Sequence, residues 1–139
     1  MQKFKHFTIG LLTVLLLAAA FQALPVQAKP RAPQVIAAGF HADWCGKCKQ
    51  MAPNAMKTMA SYKGDRTVKF VNFDLTNDAT KKQSAKLAAR NGLTSVWNSN
   101  QKTGMVLLVD GKTRKVIDTI DFTDSKSEMK EKIEAAKSG

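Results

Sequence analysis

The feature that most constrains this chain is a pair of cysteines, Cys45 and Cys48, placed where a strand should give way to a helix. Val35–His41 is a short apolar run, which favours a buried strand. A helix is predicted from about Cys45 to Tyr62, with apolar residues recurring along it. A disulfide between residues three apart closes a ring too small to stabilise a whole fold. We therefore expect the pair to serve chemistry or metal binding rather than structure.

The predicted cysteine helix has an internal proline and an apolar stripe. Pro53 has no amide hydrogen, so it is expected to kink the helix. The residues that recur at helical spacing, and that we expect to face a core, are Met51, Ala52, Ala55, Met56 and Met59.

The middle of the chain predicts a second strand and a second helix. Residues 67–75 alternate so that large apolar side chains lie on both sides, as in a strand covered on both faces. Val68 and Phe70 point one way, and Val71 and Phe73 the other. A helix capped by Asn77 or Asp78 should follow over 78–90 and stop at Asn91-Gly92. The residues expected to face inward from it are Ala85, Leu87, Ala88 and Ala89.

The C-terminal part predicts a hairpin and a last helix. A polar stretch over 98–104 precedes a buried strand at 105–109, and Asp110-Gly111 is a turn signal leading to a strand at 116–120. Ser125 and Glu128 form a capping box for the last helix, with Met129 and Ile133 on its inner stripe. The order β-α-β-α-β-β-α predicts an α/β three-layer sandwich with a mixed central sheet. The cysteines then lie at the carboxyl end of a strand, where α/β folds usually bind ligands.

The first 28 residues have the pattern of a secretory signal peptide. Lys3 and Lys5 make the start basic, an apolar run follows from Phe7 to Ala20, and small residues precede a cut after Ala28. An uncleaved membrane anchor is the alternative, because residues 7–24 are nearly long enough to span a bilayer. We expect a domain over residues 29–139 in the periplasm or elsewhere outside the cytoplasm, where a cysteine pair is readily oxidised.

The chain is strongly basic, with 22 Lys and Arg against 11 Asp and Glu and a formal net charge of +11. The basic residues are dispersed, and Lys81-Lys82 is their longest run. This pattern favours a solvated basic surface over nucleic-acid binding. We expect a monomer without a cofactor, and membrane contact only through an uncleaved leader.

The position of the cysteines favours a reactive thiolate. Cys45 would lie at a helix N-terminus, where free N–H groups and the helix dipole stabilise negative charge. Lys47 would add a positive charge nearby. Cys48, one turn along, lies on the same face of the helix and can close a disulfide with Cys45.

The segment Trp44-Cys45-Gly46-Lys47-Cys48-Lys49, with Pro53 five residues beyond the second cysteine, resembles the active site of the thioredoxin family. The resemblance extends over nearly all of residues 34–139, although the family's first strand and helix are missing. It implies thiol–disulfide exchange with protein thiols and disulfides through a mixed disulfide. It also implies that Cys45 is the exposed attacking thiolate, that Cys48 is the more buried resolving thiol, and that Trp44 flanks the exposed sulfur. An ordinary packed aromatic is the alternative for Trp44.

Three positions depart from the family pattern. The buried acid six residues before the first cysteine is replaced by Gly39, and its partner lysine on the next strand by Phe70. No proline follows Pro53, so the family's cis-proline before the hairpin is also missing. Thr103 aligns best with it, and Val96-Trp97 would align if residues 98–102 were an insertion. These departures predict that water or another group replaces the family's proton relay.

Two other functions remain open from the sequence. Cys45 and Cys48 are soft ligands suited to Cu(I), with His41 or a methionine completing the set. His41 is otherwise an ordinary solvated histidine or a group that tunes Cys45. A docking or chaperone-like domain, in which the cysteines matter little, is the third possibility. The methionines available to a metal, which are also spaced as core residues, are Met51, Met56, Met59 and Met105.

Overall fold

The structure is a computed structural model and describes residues 32–139, so the predicted leader over residues 1–28 lies outside the described residues. Within the described part of the chain, no helix combines the length and the apolar character needed to cross a bilayer. The strands are β1 (Val35–His41), β2 (Val68–Asp74), β3 (Met105–Asp110) and β4 (Val116–Asp121), and the helices are α1 (Gly46–Ser61), α2 (Asp78–Arg90), α3 (Thr94–Ser99) and α4 (Lys126–Ser138).

The four strands form one mixed sheet in the order β2-β1-β3-β4. β1 pairs in parallel with β2 and antiparallel with β3, and β3 forms an antiparallel hairpin with β4. From Val35 to Phe40 every residue of β1 is buried, as expected for a central strand covered on both faces. The predicted mixed sheet is confirmed.

Helices cover both faces of the sheet. On one face α1 and α4 contribute Met51, Met129 and Ile133 to a core shared with the strands. On the other face Leu93 and Trp97, from the α2–α3 region, pack in a second core that includes strand residues. The three-layer sandwich predicted from the element order is therefore confirmed.

The predicted starts of the helices are also confirmed. Asn77 caps α2 and Ser125 caps α4, each in a reciprocal capping box. α1 starts directly after Cys45 and continues through Pro53 as one helix. At the opposite end of β1, the Gly111 N–H donates to the Gln34 carbonyl oxygen at 2.7 Å.

The short helix α3 was not predicted, and its end overlaps the polar stretch over residues 98–104. Its cap residue, Leu93, makes no side-chain cap hydrogen bond, so the usual start signal is missing. Val96 and Trp97 are buried in the core of the α2–α3 face. They therefore belong to the core and not to a loop in front of the hairpin.

Three residues predicted to face a core are exposed. Met56 of α1 is 69 % exposed, and Ala52 of α1 and Ala89 of α2 also face solvent. α1 buries Met51, as predicted, and also Thr58, whose hydroxyl lies 3.7 Å from the Met129 sulfur. The buried stripe is thus narrower than the apolar pattern, and no element within residues 32–139 covers one flank of α1.

Candidate active site

Cys45 and Cys48 form a disulfide at the start of α1. Cys45 is the N-cap residue, and its sulfur accepts a hydrogen bond from the Cys48 backbone N–H at 3.2 Å. The first turn of α1 contains no acidic residue, so no carboxylate within this turn repels a thiolate at Cys45. Both the dipole and the hydrogen bond stabilise a thiolate at Cys45 once the disulfide is reduced.

The order of burial differs from the one implied by the family resemblance. Cys45 is only 6 % exposed, whereas Cys48 is half-buried and lines a cavity. The expectation of an exposed Cys45 and a more buried Cys48 is therefore wrong for this disulfide-bonded form. Cys45 is covered because the backbone at Gly104 approaches it: a Cβ placed on Gly104 would lie 3.7 Å from the Cys45 sulfur.

Gly104, which follows the predicted neighbour Thr103 and directly precedes β3, faces the cysteines. Its N–H donates to the Phe40 carbonyl oxygen at 2.9 Å, which fixes it beside β1. Its φ of +83° lies in the region that glycine adopts at low cost. A Cβ on Gly104 would also come within 2.8 Å of the Lys47 Cβ. The close approach of backbone to disulfide therefore depends on the missing side chain.

Trp44 lies beside the disulfide with 64 % of its surface exposed, so it is not an ordinary packed aromatic. Its indole N–H donates to the Thr76 carbonyl oxygen at 3.1 Å. The Thr76 hydroxyl accepts from the Asp43 N–H at 3.0 Å, and the Thr76 N–H donates to Asp74 at 2.8 Å. Hydrogen bonds from the Thr76 side chain and backbone lower the pKa of Asp74, and the nearby His41 adds a smaller effect. Sequence reasoning missed Thr76, although its position beside a cap signal at Asn77 marks this turn.

Lys47 and Gly46 occupy the two positions between the cysteines, and both are exposed. The Lys47 ammonium lies 4.7 Å from the centre of the Phe122 ring, within the range of a cation–π interaction. Its charge is thus held at the β4–α4 connection. Phe122 is a second residue that the sequence did not single out.

His41 is exposed at the end of β1, in register with Asp74 of β2. Within residues 32–139, no three His, Cys, Asp or Glu side chains form a group that could hold a metal ion. The structure therefore does not gather Cys45, Cys48 and His41 into the three-ligand Cu(I) site considered from the sequence.

A cavity of about 180 Å³ opens beside Cys48, between α1 and strands β1, β2 and β3. A Cβ on Gly39 would lie 2.7 Å from the Asn72 side-chain oxygen, so Asn72 occupies space that a side chain at Gly39 would need. Phe70 packs against Tyr62, with ring centres 6.0 Å apart. In the described part of the chain, no carboxylate lines the cavity. The methionines that line it are Met51, Met56, Met59 and Met105.

Comparisons with known proteins agree with this geometry. Over 40 residues the chain is 45 % identical to thioredoxin 1 of Chlorobaculum tepidum. This matched segment covers 29 % of this chain and 40 % of that protein. A thiol:disulfide interchange protein of the thioredoxin family from Chlorobium tepidum has a similar structure, with a TM-score of 0.51 and 18 % identity over 75 % of this chain and 80 % of that one. The thioredoxin of Malassezia sympodialis has a TM-score of 0.50 and 21 % identity over 78 % of this chain and 81 % of that one.

The two structures share less than a quarter of their residues with this chain, so they support the fold alone. The family is shown by the sequence, because the family model described as "Thioredoxin" matches residues 16–135. This chain, with its CxxC disulfide at the start of α1, belongs to the thioredoxin family.

Proposed function

We propose that this protein carries out thiol–disulfide exchange with other proteins through Cys45 and Cys48. The observation that carries the proposal is the cap at the start of α1, where the Cys45 sulfur accepts the Cys48 N–H at 3.2 Å. A sulfur in this position is stabilised as a thiolate, which is both the better-populated nucleophile and the better leaving group.

In the reducing direction, the Cys45 thiolate attacks one sulfur of a partner's disulfide. A bond forms between Cys45 and that sulfur, and the partner's other sulfur leaves as a thiolate that takes up a proton. The Cys48 thiol then loses its proton and attacks Cys45. The Cys45–Cys48 bond forms, and the partner leaves with two thiols. Each step is reversible, so the same pair can oxidise a partner's thiols.

The proton of Cys48 needs an acceptor, and the family's buried acid is absent at Gly39. Cys48 lines the open cavity beside α1. Among the described residues, His41 is the other ionisable side chain that lines this cavity. The proposal therefore assigns the proton of Cys48 to solvent in this cavity.

We also propose that exchange takes place outside the cytoplasm. The support is the signal-peptide pattern over residues 1–28 together with a cysteine pair of the kind that is readily oxidised outside the cytoplasm. Cell fractionation of the tagged full chain tests the location. Recovery of the protein in the cytoplasmic fraction alone would contradict this part of the proposal.

The activity is tested by titrating the purified chain in glutathione and dithiothreitol buffers while counting free thiols by mass. We expect a reversible two-electron transition with a midpoint between about −270 and −120 mV, the range of this class of protein. Cys48→Ser should accumulate mixed disulfides with partner proteins, whereas Cys45→Ser, the matched control, should not. A pair that does not cycle in these buffers overturns the proposal.

A further inference from the structure

The cavity beside Cys48 is an open groove lined on one side by a flank of α1. We define the methionine groove by Met51, Met56, Met59 and Met105 together with Ala52 and Ala55. Cys48 and Gly104 line its end nearest the disulfide. Because Gly104 also lies against the Cys45 sulfur, a segment bonded to Cys45 would have its neighbouring residues at the mouth of this groove.

The walls of the groove suit an apolar side chain of variable shape. Met56 is 69 % exposed although it lines a cavity next to the redox pair. Methionine is unbranched and flexible, so a surface rich in it can repack around different apolar groups. A cavity of about 180 Å³ offers room for a single apolar side chain.

The charged side chains that α1 contributes beside the groove are all positive. α1 contains Lys47, Lys49 and Lys57 and no acidic residue. Lys49 and Met56 are seven residues apart, and therefore lie on the same side of the helix two turns apart. Both are exposed. No carboxylate among the described residues lines the groove, so its rim attracts negatively charged partners.

From these observations we infer that the methionine groove is a docking subsite for a protein partner's segment that carries an apolar side chain and acidic residues next to its reactive cysteine. This inference rests on the proposed exchange function and names the class of partner it acts on. The apolar side chain enters the groove, and the acidic residues lie against Lys49. Docking holds the partner's sulfur near Cys45 before the bond forms.

The test compares short probes that carry the same nitrothiobenzoate mixed disulfide on cysteine. The first probe is the peptide Asp-Asp-Leu-Cys-Gly, the second is Lys-Lys-Gly-Cys-Gly, and the third is N-acetylcysteine alone. Attack by the reduced full chain releases nitrothiobenzoate, whose absorbance gives the second-order rate constant. The rate constant of each peptide is divided by that of N-acetylcysteine. We expect this ratio to be about tenfold higher for the first peptide than for the second, and the difference to shrink as salt is added.

Three variants at exposed positions of α1 examine the groove without disturbing the core. Ala52→Phe should fill it and Met56→Ala should remove a wall, and each should lower the preference for the first peptide about three- to tenfold. Lys49→Glu should shift the preference toward the lysine peptide. The matched control is Lys86→Glu, at an exposed position of α2 on the opposite face of the sheet, which should leave the preference unchanged.

The outcomes separate the two proposals. If the pair cycles in redox buffers but the variants do not alter the preference, the docking subsite is overturned and the exchange function stands. If the pair does not cycle, both are overturned. Equal loss of preference in Lys86→Glu and Lys49→Glu would show attraction to the overall positive charge and would also overturn the subsite.

Discussion

At the scale of single residues, the site depends on two glycines with opposite requirements. Gly104 has a positive φ and lies against Lys47 and Cys45, whereas Gly46 has no atom within 4 Å of the place where its Cβ would be. Both are near the disulfide, yet only Gly104 is constrained by its surroundings. Substitutions at these two glycines therefore test how closely the backbone must approach the cysteines.

We predict that Gly104→Ala destabilises the fold by about 1–3 kcal/mol, because the added Cβ is strained by φ and crowds Lys47. It should also slow exchange, since the displaced backbone borders Cys45. Gly46→Ala should be neutral or stabilise by up to about 1 kcal/mol, because alanine favours a helix. Urea unfolding and the exchange rate of each variant measure these effects. Equal stability of the two variants would contradict the prediction.

The sequence revealed part of the site, for residue-level reasons. The cap position of Cys45 follows from the helical pattern after it, so it was predicted. Gly104 was not predicted, and its neighbour Thr103 was named. The register of β3 with β1 decides which loop residue brings its backbone to the site, and this register cannot be read from the local sequence. The reversed burial of Cys45 and Cys48 depends on the same approach, so it could not be derived from spacing.

At the scale of elements, the end of α1 is tied to α4 by a polar cluster. The Tyr62 hydroxyl donates to Glu134 at 2.8 Å, and Lys137 pairs with both Glu134 and Asp65. Burial, reinforced by Glu134, raises the pKa of Tyr62. Hydrogen bonds from Tyr62 and then Lys137 lower the pKa of Glu134. The cluster fixes the active-site helix at the end farthest from the cysteines.

Because the pKa of Glu134 is lowered in the folded protein, its contribution to stability is present above the ordinary glutamate pKa. The contribution is lost as the pH falls through the folded pKa. We predict that Tyr62→Phe lowers the free energy of unfolding by about 1 kcal/mol at about pH 7, a value discounted because Glu134 is exposed. The difference from the parent should shrink by about pH 3.

Urea unfolding of both proteins at the two pH values measures this effect. Glu134→Gln should weaken the pH dependence of the free energy of unfolding, as Tyr62→Phe does. Glu131→Gln, at an exposed glutamate of the same helix, is the matched control and should leave it unchanged. A Tyr62→Phe difference of the same size at both pH values would show that the bond to ionised Glu134 does not contribute.

Among the elements, those with strong local signals were predictable. The cap of α2, the capping box of α4 and the alternation in β2 are local signals, and all were confirmed. α3 lacks a cap signal and forms because Val96 and Trp97 are buried by distant parts of the chain. The open flank of α1 was likewise hidden, because helical spacing marks apolar positions but not whether another element covers them.

At the scale of the whole molecule, stability should be centred on β1. This strand is bonded on both sides and buried from Val35 to Phe40. Among the strands of residues 32–139, β4 pairs with β3 alone and is mostly exposed. Phe40 adds contacts to Phe73 and Trp97 at ring-centre distances of 5.0 and 6.2 Å. Opening β1 therefore requires nearly global unfolding, and opening β4 does not.

We predict that native-state hydrogen exchange at the β1 amides is at least about 100-fold slower than at the amides of β4, because protection ranges from local fraying to the global free energy. Exchange followed residue by residue by NMR measures the difference. The β3 amides that bond to β1 serve as an internal reference and should resemble β1. Equal protection of β1 and β4 would contradict a stability centred on the middle of the sheet.

The direction of β1 also decides at which end of the domain the preceding part of the chain is attached. Gln34 is held beside Gly111 at the start of this strand, and the cysteines follow its far end, about 20 Å away for a strand of this length. Any chain joined ahead of Ala32 therefore meets the domain at the pole opposite the disulfide. An anchor attached at that pole would therefore join the domain a full strand length away from its redox pair.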